Sequence, residues 1–211
     1  MGTGTPKCSL MDANGSNTRQ LTHGEGGAEN PDWSPDGSMI AYQRNNQIFV
    51  ARVSSGDSTM VTNEPRGAVD PGGWTPDGGS IVFSTDNAAG DHYTARSVDL
   101  TTRRTRLIVA DGSTPTLSPD GAWIAFNSWL KAQVRLILAN SDGSERRTIA
   151  RFDNDDRYEQ WSPDSTHIAY VAHTADGGFG TYIYDLSTGE ARLVAAGSVE
   201  SWIDNDRILV N

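Results

Sequence analysis

The feature that most constrains this chain is a five-residue turn that returns at a near-constant interval. It reads Trp33-Ser34-Pro35-Asp36-Gly37, then Trp74-Thr75-Pro76-Asp77-Gly78, Leu117-Ser118-Pro119-Asp120-Gly121 and Trp161-Ser162-Pro163-Asp164-Ser165. A worn fifth copy is Trp202-Ile203-Asp204-Asn205-Asp206, and successive lead residues stand 41 to 44 positions apart. One turn repeated every ~40–45 residues marks a stack of like units, and this period is that of propeller blades. The turn chemistry is local: proline presets φ, the Asp carboxylate accepts from the backbone two residues on, and glycine takes positive φ.

The same anatomy surrounds each turn. One strand ends at the Trp. A second, short and apolar, follows at 39–42, 80–83, 123–126, 167–170 and 207–210, in the β-branched and aromatic types that strands favour. An alternating third strand is predicted at 47–53, 96–100, 135–141 and 181–186, and a fourth at 59–62, 106–109, 147–150 and 192–195. Four strands make one blade, and the recurring Trp is expected to pack between neighbouring blades.

The run from Asn30 to Tyr42, with Trp33-Ser34-Pro35-Asp36-Gly37 at its centre, resembles the TolB-type, WD40-like PD40 β-propeller repeat. Met11 to Thr22 resembles that family's end-of-blade segment. The resemblance covers nearly the whole chain. It implies a propeller that binds protein partners or gates a peptidase, in the periplasm or outside the cell. Neither a TolB-type N-terminal domain nor a peptidase domain is expected within 211 residues. The departures are Leu117 for Trp, Ser165 for Gly, and Asp204-Asn205-Asp206 for the Pro-Asp turn, each expected to weaken the repeat locally.

Length and repeat together predict a single all-β domain over 1–211, a five-bladed propeller of four-stranded antiparallel blades. Four blades run over about 28–64, 69–110, 113–151 and 157–196, and the fifth joins 198–211 to 6–22. Closure is expected as an antiparallel ladder between residues near 207–210 and 7–11, leaving no open sheet edge. A piece of a longer ring is the alternative. The formal net charge of −10, with Lys7 and Lys131 the only lysines, argues against nucleic acid. No apolar run suffices for a membrane span. Residues 1–5 carry no signal-peptide core, and a monomer is expected. Cys8, the sole cysteine, occupies the place of Phe49, Leu136 and Tyr182 in other units and reads as an inert thiol.

The turns are short and repetitive, hence structural. The loops at the opposite blade ends vary, and variable loops on a rigid scaffold carry binding. Three residues past the aromatic that ends each second strand lie Asn45, Asp86, Trp129 and His173, expected to ring one rim. Trp129, beside Lys131, and Phe179, among glycines, are candidate contact residues or loop anchors. Four positions before the lead residues, Glu29, Asp70 and Arg157 are expected near a central mouth, where a polar ligand would sit.

No catalytic or cofactor motif is present. His23, His92, His167 and His173 lack metal-ligand spacing, so neither metal nor cofactor is expected. The Asp153-Asn154-Asp155-Asp156 run alternates oxygen ligands as a calcium loop does, without its glycine or distal Glu. Asp86-Asn87 with Asp91 is a weaker version. The expected function is a non-catalytic scaffold engaging a protein or peptide through the loop-rich face. The alternative is a small polar or carbohydrate ligand in the central mouth, with hydrolysis by a Glu29–Asp70 carboxylate pair left open.

Overall fold

The computed structural model describes residues 6–86, 93–130, 133–152 and 159–211, and for Asp70 and Leu130 the backbone. All regular structure among these residues is strand. The chain divides into two compact units, Met1–Thr114 and Pro115–Asn211.

Unit 1 opens with a hairpin of β1 (Ser9–Leu10) and β2 (Arg19–Gln20). Two antiparallel four-stranded sheets follow, each in simple sequence order. Blade 1 is β3 (Glu29–Trp33), β4 (Met39–Arg44), β5 (Gln47–Arg52) and β6 (Ser58–Met60). Blade 2 is β7 (Val69–Trp74), β8 (Ser80–Asp86), β9 (Tyr93–Asp99) and β10 (Thr105–Val109). Blade 3, in unit 2 from Pro115 onward, is β11 (Ser113–Leu117), β12 (Trp123–Leu130), β13 (Gln133–Asn140) and β14 (Arg147–Phe152). Blade 4 is β15 (Glu159–Trp161), β16 (His167–His173), β17 (Phe179–Asp185) and β18 (Ala191–Ala196). The unit ends on the pair β19 (Val199–Trp202) and β20 (Ile208–Val210).

The central strands are the apolar ones, and they form the cores. Ala41, Ile48, Trp74, Ile81, Phe83 and Val98 cluster in unit 1. Ala125, Leu136, Leu138, Phe152, Ile168 and Tyr170 cluster in unit 2.

The repeated turn contains a relay. In blade 1 the Ser34 hydroxyl accepts from the Met39 N–H (2.9 Å) and donates to Asp36 Oδ1 (2.7 Å), which also accepts from the Ser38 N–H (3.0 Å). Thr75–Asp77, Ser118–Asp120 and Ser162–Asp164 repeat it. The second residue of the turn is therefore as structural as the Asp and Gly.

Blades within a unit are joined through Trp. The Trp74 indole N–H donates to the Asp32 carbonyl of blade 1 (3.3 Å), Trp161 to Thr116 of blade 3 (3.3 Å), and Trp202 to Gln160 of blade 4 (3.0 Å). Each acceptor immediately precedes the lead residue of the blade before. Trp33 departs from the expected inter-blade packing, being 49% exposed against 6% for Trp74. Ahead of blade 1, the described residues of unit 1 supply the β1–β2 hairpin, and among them no first strand accepts the Trp33 indole.

Ser165 also behaves differently from expectation. It takes the left-handed φ of the turn glycines (63° against 72° at Gly121), and its hydroxyl accepts from the Asp120 backbone N–H of blade 3 (3.0 Å). The substitution adds a tie between blades rather than only loosening a turn.

The expected ladder between 207–210 and 7–11 is not among the strand pairings of the described residues: β1 pairs with β2, and β20 with β19. Residues 6 and 7 are engaged by the connection into blade 1, Pro6 O accepting from Ala28 N–H (2.8 Å) and Lys7 Nζ donating to Gly26 O (2.9 Å).

Candidate functional site

The blade ends opposite the repeated turns hold most of the residues singled out above. In unit 1, Asn45 and Asn46 form a two-residue hairpin between β4 and β5, Arg44 opposite Gln47, with φ of 49° and 55°. Positive φ at both positions is the type I′ turn that suits strand twist, and asparagine tolerates it. Asn45 packs on Gly26, where a side chain would meet its amide at 2.5 Å, and Gly27 lies against the Glu29 carboxylate. Asn45 and Glu29 are thus brought to one connection, 23–28. Asn46 O accepts from the Ala68 N–H (2.7 Å), fixing the next connection. Asp86 closes β8 opposite Tyr93 and is exposed.

In unit 2, the His173 and Phe179 rings pair at 4.4 Å across the mouth of the β16–β17 hairpin. The loop 174–178 between them is braced by Thr174 N–H to Gly178 O (2.9 Å) and by the Thr174 hydroxyl donating to Asp176. That hydroxyl bond leads in holding the Asp176 carboxyl below the ordinary range. Phe179 remains 41% exposed, although the strand after it is tight: a Cβ on Gly180 would lie 2.5 Å from Leu193 Cδ1. An exposed aromatic pair on a braced hairpin is a ready contact surface.

Trp129 is placed otherwise than expected. It lies in β12 opposite Val134, not in a loop, and packs half-buried against the core of unit 2. The strand runs on because Asn127 and Ser128, polar in sequence, continue the register opposite Leu136 and Arg135 while fully buried. Asn127 Nδ2 reaches Glu159 of blade 4 (3.2 Å). Arg157, Lys131, His92, Asp91 and the Asp153–Asp156 run lie outside the described residues, and of Asp70 only the backbone is placed, in β7. Among the described residues no group of three or more His, Cys, Asp or Glu side chains is positioned to hold a metal ion.

Against this geometry the comparisons with known proteins are decisive for the family. A family model described as PD40, TolB beta propeller domain, matches residues 1–161. The chain belongs to that family. A 61-residue stretch, 29% of this chain, is 39% identical to the Tol-Pal system protein TolB of Xylella fastidiosa strains M12 and 9a5c, and amounts to 14% of those proteins. Among solved structures, TolB from Acinetobacter baumannii superposes with a TM-score of 0.71 at 20% identity, over 90% of this chain and 49% of that one. An oligogalacturonate lyase in complex with manganese gives 0.71 at 21%, over 92% and 60%. The chain spans about half the length of the TolB structure it matches, and these likenesses establish a fold of propeller type.

Two features of this PD40 chain escaped the sequence reading. Arg44, only 7% exposed, stacks its guanidinium over Tyr42 (5.0 Å) and Phe49 (5.3 Å), a buried cation held by ring faces. Its signal was an arginine at the end of an apolar strand. Burial pushes the Asp32 carboxyl up, in the first strand of blade 1, and the only hint was an acid beside the repeated Trp. Burial also pushes the Cys8 thiol up, in keeping with an inert packing residue against the Leu21–Tyr42 cluster.

Proposed function

We propose that this PD40 chain is a non-catalytic scaffold that engages a protein or peptide through the loop-bearing ends of its blades. The His173–Phe179 pair carries the reading: two rings at 4.4 Å flanking a braced loop, with Phe179 41% exposed. Aromatic anchors on rigid elements supply most of the energy of such contacts. Asp86, Asn45 and Glu29 form a polar rim on unit 1, and in unit 2 Trp129 serves as an anchor holding its hairpin to the core. The partner is a protein, not a nucleic acid, and the scaffold is monomeric. By family it works in the periplasm or outside the cell. The test is a pull-down from the envelope fraction followed by calorimetry with the captured partner. Phe179→Ala weakens binding by about tenfold or more, a loss of ~1.4 kcal/mol, with the thermal midpoint unmoved. Retained affinity rejects the rim.

A second reading places a small polar or carbohydrate ligand at the first strands, near Glu29, Asp70 and Arg157. The half-buried Asp32, its carboxyl pushed up by burial, favours it. A glycan array and a lyase assay test it, and activity lost in Asp32→Asn supports it over the scaffold.

We further propose that the whole chain acts as one five-bladed propeller, its fifth blade made of 198–211 and 6–22. What supports this is unmet apolar surface at both chain ends: Trp33 in unit 1 (49% exposed), and Ile203 and Leu209 in unit 2 (57% and 52%).

A further inference from the structure

At the turn-bearing end of unit 1, remote from the rim, a cleft of about 290 Å³ opens between blades 1 and 2. Its floor is the edge of the apolar core, with Val50 and Val61 buried and Met39 and Leu100 partly so. Two exposed guanidiniums flank it, Arg52 from blade 1 and Arg103 from blade 2. The Arg52 side chain has no hydrogen-bond or ion-pair partner among the described residues, and Arg103 makes one long bond, to Met60 O (3.4 Å).

The same place between blades 3 and 4 is filled. Strand register sets Trp123 where blade 1 has Met39, and Tyr184 where blade 2 has Val98. Arg147 stands at the place of Thr59 and lies over both rings, 5.4 Å from Trp123 and 5.7 Å from Tyr184. The tie from Ser165 to the Asp120 N–H (3.0 Å) closes the turns. Gly78 occupies that position in blade 2, with no hydroxyl to offer and no atom within 4 Å of where a Cβ would stand. Smaller side chains at equivalent places, with the tie removed, open this one groove.

We propose that the cleft binds a small amphipathic carboxylate, its apolar tail on Met39, Val50, Val61 and Leu100 and its carboxylate between Arg52 and Arg103. The lining is complementary even in a chain of net charge −10, because it carries two guanidiniums against one carboxylate, that of Asp57, which is turned to the Ser55 hydroxyl (2.7 Å). The volume lies at the small end of ligand pockets, fitting a short tail rather than a folded partner.

Hexanoate is the probe, with hexan-1-ol and hexylamine as controls, read by methyl NMR of the intact chain. Expected are saturable shifts at the methyls of Met39, Val50, Val61 and Leu100, with hexanoate bound at least about tenfold more tightly than hexylamine. Arg52→Ala and Arg103→Ala each weaken hexanoate by about tenfold. The double variant Met39→Trp, Thr59→Arg, copied from the filled groove, abolishes it. If that variant does not fold, Gly78→Ser, matched on Ser165, is read instead and loses at least about fivefold. No saturable shift, equal binding of hexylamine, or hexanoate binding that survives the groove-filling change in a folded variant overturns the proposal.

Discussion

Trp33 and Trp74 open the same turn, end the same kind of strand and are followed by the same hydroxyl–carboxylate relay, yet one is 49% exposed and the other 6%. The difference lies in the neighbour. Trp74 has blade 1 before it and gives its indole N–H to Asp32 O (3.3 Å). Before Trp33, among the described residues, stands a hairpin of two-residue strands. A repeat sequence encodes strand and turn locally, while the burial of its largest residue depends on the unit before it. Where that unit lacks its first strand, the exposed indole marks the place one would dock.

The largest expected effect is in the core. Trp74→Ala lowers the unfolding free energy by about 3–5 kcal/mol, the range for large-to-small changes at buried aromatics. A shift below ~1 kcal/mol in urea denaturation would mean the indole is not part of the blade interface. In the closed ring Trp33→Ala loses a comparable amount; in a chain whose ends do not meet it loses about 1–3 kcal/mol, because only half its surface is buried. Trp129→Ala, half-buried on the core of unit 2, lowers thermal stability through lost packing by about 1–3 kcal/mol. An unchanged midpoint would return Trp129 to the rim as a free anchor.

The turn carboxylates set the response to acid. Hydrogen bonds from the Ser187 hydroxyl and from the Thr188 and Ser187 N–H groups hold the Asp185 carboxyl at about 2. The hydroxyls of Ser34, Thr75 and Ser162 lead in holding Asp36, Asp77 and Asp164 below their ordinary range. A depressed folded-state value means that the stabilisation is complete above the ordinary carboxylate value of ~4 and is lost as pH falls towards 2. The urea midpoint is therefore flat from pH 7 to 5 and drops below 4. Asp185→Asn removes part of that drop, and an identical acid profile in the variant would exclude Asp185 from it.

The smallest effect is expected at Ser165. Ser165→Gly relieves a left-handed φ but removes the tie to Asp120, two contributions of about 1 kcal/mol each and opposite sign. A net change beyond ~1 kcal/mol either way would show that one of them dominates.

Much of this was legible from composition along the strands. Second strands such as Ile124-Ala125-Phe126 announce themselves by residue type, and turns by Pro-Asp-Gly. Less legible was whatever depends on a partner. The hydroxyl of Ser34 bridges two groups that come together only once the turn has formed. Asn45-Asn46 read as a loop because two asparagines look polar, although both take positive φ in a tight hairpin. Trp129 read as a loop residue because Asn127 and Ser128 interrupt the apolar run, and only the pairing with β13 shows that these two are buried. Of the candidate rim, His173 with Phe179 and Asn45 with Glu29 come together through hairpin and connection geometry that spacing alone does not express.

The most direct test of the central claim, that each lead Trp is completed by the blade before it, is hydrogen exchange at the indole N–H groups followed by NMR. Trp74, Trp161 and Trp202 are expected to be protected, and Trp33 with them if the proposed fifth blade completes its neighbour. Protection at Trp33 that disappears when residues 199–211 are removed is the predicted result. A Trp33 indole that exchanges as fast as free tryptophan in the full chain, while Trp74 stays protected, contradicts closure.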